Sequence, residues 1–176
     1  MTTTIHRLSP GELDTLLPDL VDLLRDTVNG GVPLGFLSPL SHDQARDYWV
    51  SLRPELLSRS RVLLAAFCDD TLVGTGQLAL ATPPNARHRA ELQKLFVNTR
   101  LRGRGVGRAL MEALHQAARE RGRSLILLNT RRGLGAEGFY RGLGYREAGV
   151  IPGYTVDPAG ARYDTVLFYQ ELVLPR

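Results

Sequence analysis

The chain has 176 residues, 43% hydrophobic and 23% charged, with a formal net charge of +4, which predicts one globular domain over residues 1–176 that needs no disulfide or metal to bury its core. Cys68 is the only cysteine, so an intrachain disulfide is excluded and the cytoplasm is the expected compartment. No apolar run approaches the ~18 residues of a membrane span, and the first residues lack the basic-then-apolar pattern of a signal peptide, so no membrane partner is expected.

Residues 4–8 read as a first strand, broken at Ser9-Pro10-Gly11. Leu13, Leu16, Leu17, Leu20, Val21 and Leu24 then recur at helical spacing. Pro18 falls inside that pattern and should kink or divide the helix, which ends near Asn29-Gly30-Gly31. Residues 32–40 read as a loop. Ser41 and Gln44 have capping-box spacing, so a second helix should run toward Arg59 with Ala45, Tyr48, Trp49 and Leu52 inward; Pro54 should perturb or split it.

Residues 62–67 and 72–81, joined by Asp69-Asp70-Thr71, predict an antiparallel hairpin. Residues 89–97 predict a further strand. Val106, Ala109, Leu110, Ala113, Leu114, Ala117 and Ala118 form the core-facing stripe of a helix capped at Gly122. Residues 124–128 read as a strand buried on both faces, and residues 136–143 as a short helix stopped by Gly144. Residues 145–151 and 163–172 should close the sheet, with bends at Pro152-Gly153 and residues 157–160. The sum is a mixed α/β fold.

The chemistry concentrates between residues 91 and 121. A strand ends there in Arg102-Gly103-Arg104-Gly105-Val106-Gly107-Arg108, and a helix follows at once. Backbone N–H groups at a helix start converge on anions, and glycines let a phosphate approach closely. Arginines add charge-assisted hydrogen bonds. The loop lacks the Gly-Lys-Ser/Thr ending of a P-loop, and Arg108 stands where a dinucleotide fingerprint needs its third glycine. His6, His42, His88 and His115 are scattered, none at ligand spacing from Cys68, so no metal is expected. Lys94 is the only lysine among 22 basic Lys and Arg residues.

Three segments in order carry a resemblance: Ala90-Glu91-Leu92-Gln93-Lys94-Leu95-Phe96-Val97, the loop Arg102 to Gly107, and Ala136-Glu137-Gly138-Phe139-Tyr140-Arg141-Gly142-Leu143-Gly144-Tyr145. Over nearly its whole length the chain resembles the GNAT superfamily of N-acetyltransferases. Thr27-Val28-Asn29-Gly30-Gly31, Gly35-Phe36, Gln93-Lys94-Leu95 and Pro152-Gly153-Tyr154 are most similar to the tabtoxin-resistance type. The resemblance implies a mostly antiparallel sheet of six to seven strands, splayed at its centre and flanked by about four helices. It implies acetyl-coenzyme A (acetyl-CoA) as donor and the amine of a small molecule as acceptor, with a homodimer among the allowed assemblies.

By the same resemblance the amides of Arg102, Gly103, Arg104, Gly105, Val106, Gly107 and Arg108 hold the pyrophosphate. Leu95, Phe96 and Val97 line the pantetheine arm with Asn129 and Phe139, and an amide near Val97 polarises the thioester carbonyl. Tyr140 is the expected proton donor to the leaving sulfur. Glu91, sharing strand parity with Gln93, Leu95 and Val97, is the expected base, directly or through water. Asn129 stands where the tabtoxin type carries an aspartate, and an amide cannot accept the proton. Asn29, Gly35, Phe36, Gln77, Glu91 and Tyr154 are expected around the acceptor, while Trp49 reads as core. A peptide or protein N-acetyltransferase and a catalytically silent CoA-binding regulator are the alternatives. A nucleic-acid module is disfavoured because no aromatic residues interleave with the arginines.

Overall fold

Two serines start helices by the same device. In the computed structural model, which describes residues 2–174, Ser9 caps α1 (Pro10–Thr15) and Ser41 caps α3 (His42–Ser51). Each hydroxyl accepts from the amide three residues on, and Glu12 or Gln44 returns a bond to the serine amide, so two otherwise unpaired donors are satisfied at each end. Ser41→Ala should lower stability by about 1 kcal/mol, read by calorimetry as a Tm fall of roughly 2–4 °C. An unchanged Tm would show the cap to be idle.

Proline divides both expected helices. Pro18 lies in the first turn of α2 (Leu17–Asn29) and Pro54 in that of α4 (Arg53–Leu57), where the missing N–H removes no helical bond. The chain breaks at Leu16 and Leu52 instead of bending a continuous helix.

The strands are β1 (Thr3–Arg7), β2 (Arg61–Cys68), β3 (Thr71–Leu80), β4 (Arg89–Val97), β5 (Leu125–Arg131), β6 (Arg146–Val156) and β7 (Arg162–Glu171), ordered β1-β2-β3-β4-β5-β7-β6 in one sheet. Every neighbouring pair is antiparallel except β4 with β5. A parallel pair needs a crossover, and α5 (Val106–Arg119) supplies it; α6 (Ala136–Gly142) follows β5. This is the mixed, mostly antiparallel fold expected. The outermost residues of the expected domain, 1, 175 and 176, lie outside the described residues.

Each face of the sheet carries a core. On one, Leu110, Met111 and Leu114 of α5 pack with Leu64, Ile126 and Phe168. Gly76 permits that approach, since a Cβ there would lie 2.7 Å from Leu114 Cδ1. On the other, α1 to α4 bury Leu20, Leu24 and Trp49 against Leu63 and Phe96. Trp49 is core, as expected, and its Nε1 donates to the Leu20 carbonyl at 2.9 Å.

Two expectations change. β5 buries Ile126 and Leu128 on one face but leaves Leu125 and Leu127 half-buried on the other, because α2 and α4 pack on β3 and β2. Pro152-Gly153 does not end a strand; β6 continues to Val156 and absorbs the bend as a register shift between Ile151 and Thr155. As an edge strand, β6 tolerates that proline. Among the described residues, no helix is long and apolar enough to cross a membrane, and no cluster of His, Cys, Asp or Glu could hold a metal.

Candidate active site

One extra residue in β4 shapes the centre of the molecule. Gln77 pairs with Gln93 and Thr75 with Phe96, so two steps on β3 face three on β4. Lys94 takes the inserted position with φ +49°, a β-bulge that flips side-chain parity. Leu92, Leu95 and Val97 therefore pack on the α5 core, whereas Phe96 joins the core around Trp49 and Lys94 reaches Phe36 and Tyr48 on that side. The uniform alternation expected from Glu91 through Gln93 to Leu95 and Val97 is thus broken: Leu95 and Val97 turn to the opposite face.

The bulge also ends the pairing of the two central strands. β4 and β5 are bonded only at Arg89–Leu125, Ala90–Ile126 and Glu91–Leu127. Beyond these they diverge, and a pocket opens between them. The gap is a cleft of about 360 Å³. Glu91, Leu92, Gln93, Lys94 and Leu95 form one wall and Asn129, Thr130 and Arg131 the other, with the loop 32–35, Ala136, Tyr140, Tyr154, Thr155 and Thr165 completing it. Depressions of about 690 and 450 Å³ lie elsewhere on the surface, but neither contains Glu91 or Tyr140.

Of the residues singled out in the sequence, Gly35, Glu91, Leu95, Asn129, Tyr140 and Tyr154 meet at this cleft. Tyr140 is 8% exposed, with Phe139, Tyr145 and Phe168 around its ring. Burial pushes its phenol up to about 12, so it stays protonated at neutral pH. No hydrogen bond engages its hydroxyl among the described residues.

Others lie elsewhere. Gln77, expected beside the acceptor, is fully buried; its Nε2 donates to the Tyr48 hydroxyl at 2.9 Å and its Oε1 accepts from Arg61 Nη1 at 2.9 Å. Asn29 turns away from the cleft and holds the loop, accepting from the Leu40 amide at 2.8 Å. Phe36 stands edge-on to Tyr48, 5.2 Å between centroids, and supports the cleft wall from behind. Phe139 ties α6 to α5, in contact range of Gly107. Phe96 is buried in the helix-side core.

A buried polar network braces β4. Arg61 pairs with Glu55, Nη2 to Oε2 at 2.9 Å, and its Nη1 donates to Gln93 Oε1 at 3.0 Å as well as to Gln77. Next to it, Lys94 Nζ donates to the Leu34 carbonyl at 2.6 Å and lies 5.2 Å from the Phe36 centroid and 5.5 Å from that of Tyr48. Burial, then the Arg61 charge, lowers the Lys94 pKa, and Glu91 partly opposes them. Lys94 was not singled out for the site. Its signal was composition, one lysine in an arginine-rich chain.

The glycine loop leads into α5. Gly103 and Gly105 have φ +74° and +85°, the left-handed region that glycine enters freely. Gly105 is the N-cap and offers no side chain, so the first-turn amides have no side-chain partner. Arg102, Arg104 and Arg108 are exposed around them. The residues fit a bound phosphate group: amides without a cap, glycines that let it approach, and cationic neighbours.

The model of the Acetyltransferase (GNAT) family matches residues 23–145. An uncharacterized N-acetyltransferase from the hisH-hisA intergenic region of Azospirillum brasilense is 30% identical over 125 residues, 68% of this chain and 73% of that protein. The chain belongs to the GNAT acetyltransferase family. N-acetyltransferase 8B of Rattus norvegicus is 34% identical over 82 residues, 46% of this chain; the match spans only 37% of that longer relative. Among solved structures, yncA of Salmonella typhimurium with its cofactor acetyl-CoA superposes with a TM-score of 0.78 at 15% identity, covering 98% of this chain and 95% of that one. That likeness is one of fold. The family is one of acetyltransferases.

Proposed function

We propose that this GNAT enzyme moves the acetyl group of acetyl-CoA directly to the primary amine of a small molecule, both held at once in the cleft between β4 and β5. The observation that carries this reading is the meeting of Glu91 on β4 and Tyr140 on α6 at one cleft of about 360 Å³. Its size, and the loop 32–35 along its rim, favour a small acceptor over a protein chain.

Acetyl-CoA supplies an activated acyl group on a thiol leaving group. The chain supplies the rest. The amides from Arg102 to Arg108 hold the pyrophosphate, and the free edge of β4 at Leu95, Phe96 and Val97 aligns the pantetheine arm. An amide near Val97 stabilises charge on the carbonyl oxygen. Glu91 accepts the acceptor's proton, directly or through water, and Tyr140 donates to the departing sulfur. Gly35, Asn129 and Tyr154 border the acceptor. No cysteine takes part: Cys68 is buried in β2 beside Thr3. The tabtoxin-resistance type is the lead within the family, with Asn129 the departure that leaves its acceptor open. The reading extends to one domain over residues 1–176, acting in the cytoplasm, alone or as a homodimer.

Acetyl-CoA at 100 times its Kd should stabilise the protein by about 2.7 kcal/mol, seen as a raised Tm; no shift at saturation would sink the cofactor assignment. Thiol release across a panel of small amines should then find a substrate. Turnover only with peptide N-termini or lysines would replace the small-molecule reading.

A further inference from the structure

The chain's only lysine borders the cleft that Glu91 and Tyr140 share. We infer that Lys94 is a self-acetylation site, its amine taking an acetyl group from acetyl-CoA bound in that cleft. This rests on the acetyl-transfer reading above.

Position is the first support. The bulge at Lys94 turns its side chain along the cleft wall toward Gly35, another wall residue. A Cβ at Gly35 would stand 3.2 Å from Lys94 Nζ; glycine leaves that side of the amine open. Engagement is the second. The Leu34 carbonyl takes one N–H at 2.6 Å, and no carboxylate forms an ion pair with the amine among the described residues, so a cation sits half-buried with only the more distant Glu91 charge to oppose it. Such a cation is disfavoured, and neutralising it by amide formation relieves the cost. The lowered pKa agrees, since burial and Arg61 enlarge the neutral fraction. Restraint is the third: the Phe36 and Tyr48 rings, their centroids 5.2 and 5.5 Å from Nζ, limit the freedom of the chain end.

The ammonium first loses a proton to water. Neutral Nζ then forms a bond to the acetyl carbonyl carbon while the carbon–sulfur bond breaks. The sulfur leaves with that electron pair and takes the Tyr140 hydroxyl proton, and the new amide nitrogen sheds its second proton to water, from which the tyrosinate is reprotonated. The products are Nζ-acetyl-Lys94 and free coenzyme A thiol. The acetylated chain loses the cation that lies over Phe36 and Tyr48.

The test is peptide mass spectrometry of the purified chain after incubation with acetyl-CoA and no acceptor. Trypsin cleaves after Lys94 unless it is acetylated, so the expected product is an uncut peptide from Ala90 to Arg100, one acetyl group heavier. Its formation should slow by about tenfold or more in Tyr140→Phe and in urea-unfolded wild type, and Lys94→Arg should give none. Equal labelling in the unfolded chain would reveal solution chemistry and overturn the site. So would an unlabelled Lys94 in protein whose Tm acetyl-CoA raises and which acetylates an added amine; that result removes this inference and leaves the enzyme reading standing. Absence of both label and Tm shift would remove both.

Discussion

Tyr140→Phe should lower kcat by about 100-fold, within the range for a positioned general acid, and leave the Kd of acetyl-CoA within about twofold, because the role proposed for the hydroxyl is toward the leaving sulfur and not in ground-state binding. The substitution conserves the ring packed on Phe139, Tyr145 and Phe168, so the fold should hold, and the apo Tm checks that. The pH profile gives a second reading. An acid must be protonated to act, and burial raises this phenol from 10.0 to about 12. Its protonated form therefore persists through pH 10, and wild-type kcat should show no alkaline fall from Tyr140 below that pH. An unchanged kcat in the variant would remove Tyr140 as the acid.

Gly105→Val should weaken acetyl-CoA binding by about 10- to 100-fold, the loss of one charge-assisted hydrogen bond at roughly 1.5–3 kcal/mol, measured by calorimetric titration. Gly105 caps α5 at φ +85°, a conformation that is a genuine outlier for a β-branched residue. No atom beyond its chain neighbours comes within 4 Å of a Cβ added there. The valine would thus meet no wall of the protein; it would stand in the space over the first-turn amides, where the phosphates are proposed to bind. The strain itself should lower apo stability by about 1–3 kcal/mol. Gly105→Ala, with a smaller group on the same strained backbone, separates strain from steric block. Normal affinity in the valine variant would mean that the phosphates lie elsewhere.

Much of this was legible because it is local. A capping box acts across three residues, so Ser9–Glu12 and Ser41–Gln44 carry their helix starts in the sequence. Proline acts on its own turn, which is why Pro18 and Pro54 mark the divisions. The glycine–arginine loop is legible in the same way, since Gly103 and Gly105 take positive φ within a few residues of the helix start. The family likeness then implied a mostly antiparallel sheet splayed at its centre, which periodicity could not do.

The acceptor side was less legible. Asn29 and Gln77 looked like polar residues awaiting a substrate, yet both spend their hydrogen bonds inside the protein, on Leu40 and on Tyr48 with Arg61. Only the folded chain shows which partner a polar side chain has found, since those partners are 11, 29 and 16 residues away.

The central stretch from Glu91 to Val97 divides the two kinds of information most clearly. The sequence by itself determined that it is a strand and that it feeds a glycine–arginine loop, and it singled out Glu91 and Tyr140 as the candidates for proton transfer. Only the tertiary structure decided how they meet. Pairing β4 with β3 inserts Lys94 as a bulge, reverses the faces of Leu95 and Val97, and parts β4 from β5 after Glu91. A bulge exists only between two strands, so no reading of β4 alone could place it.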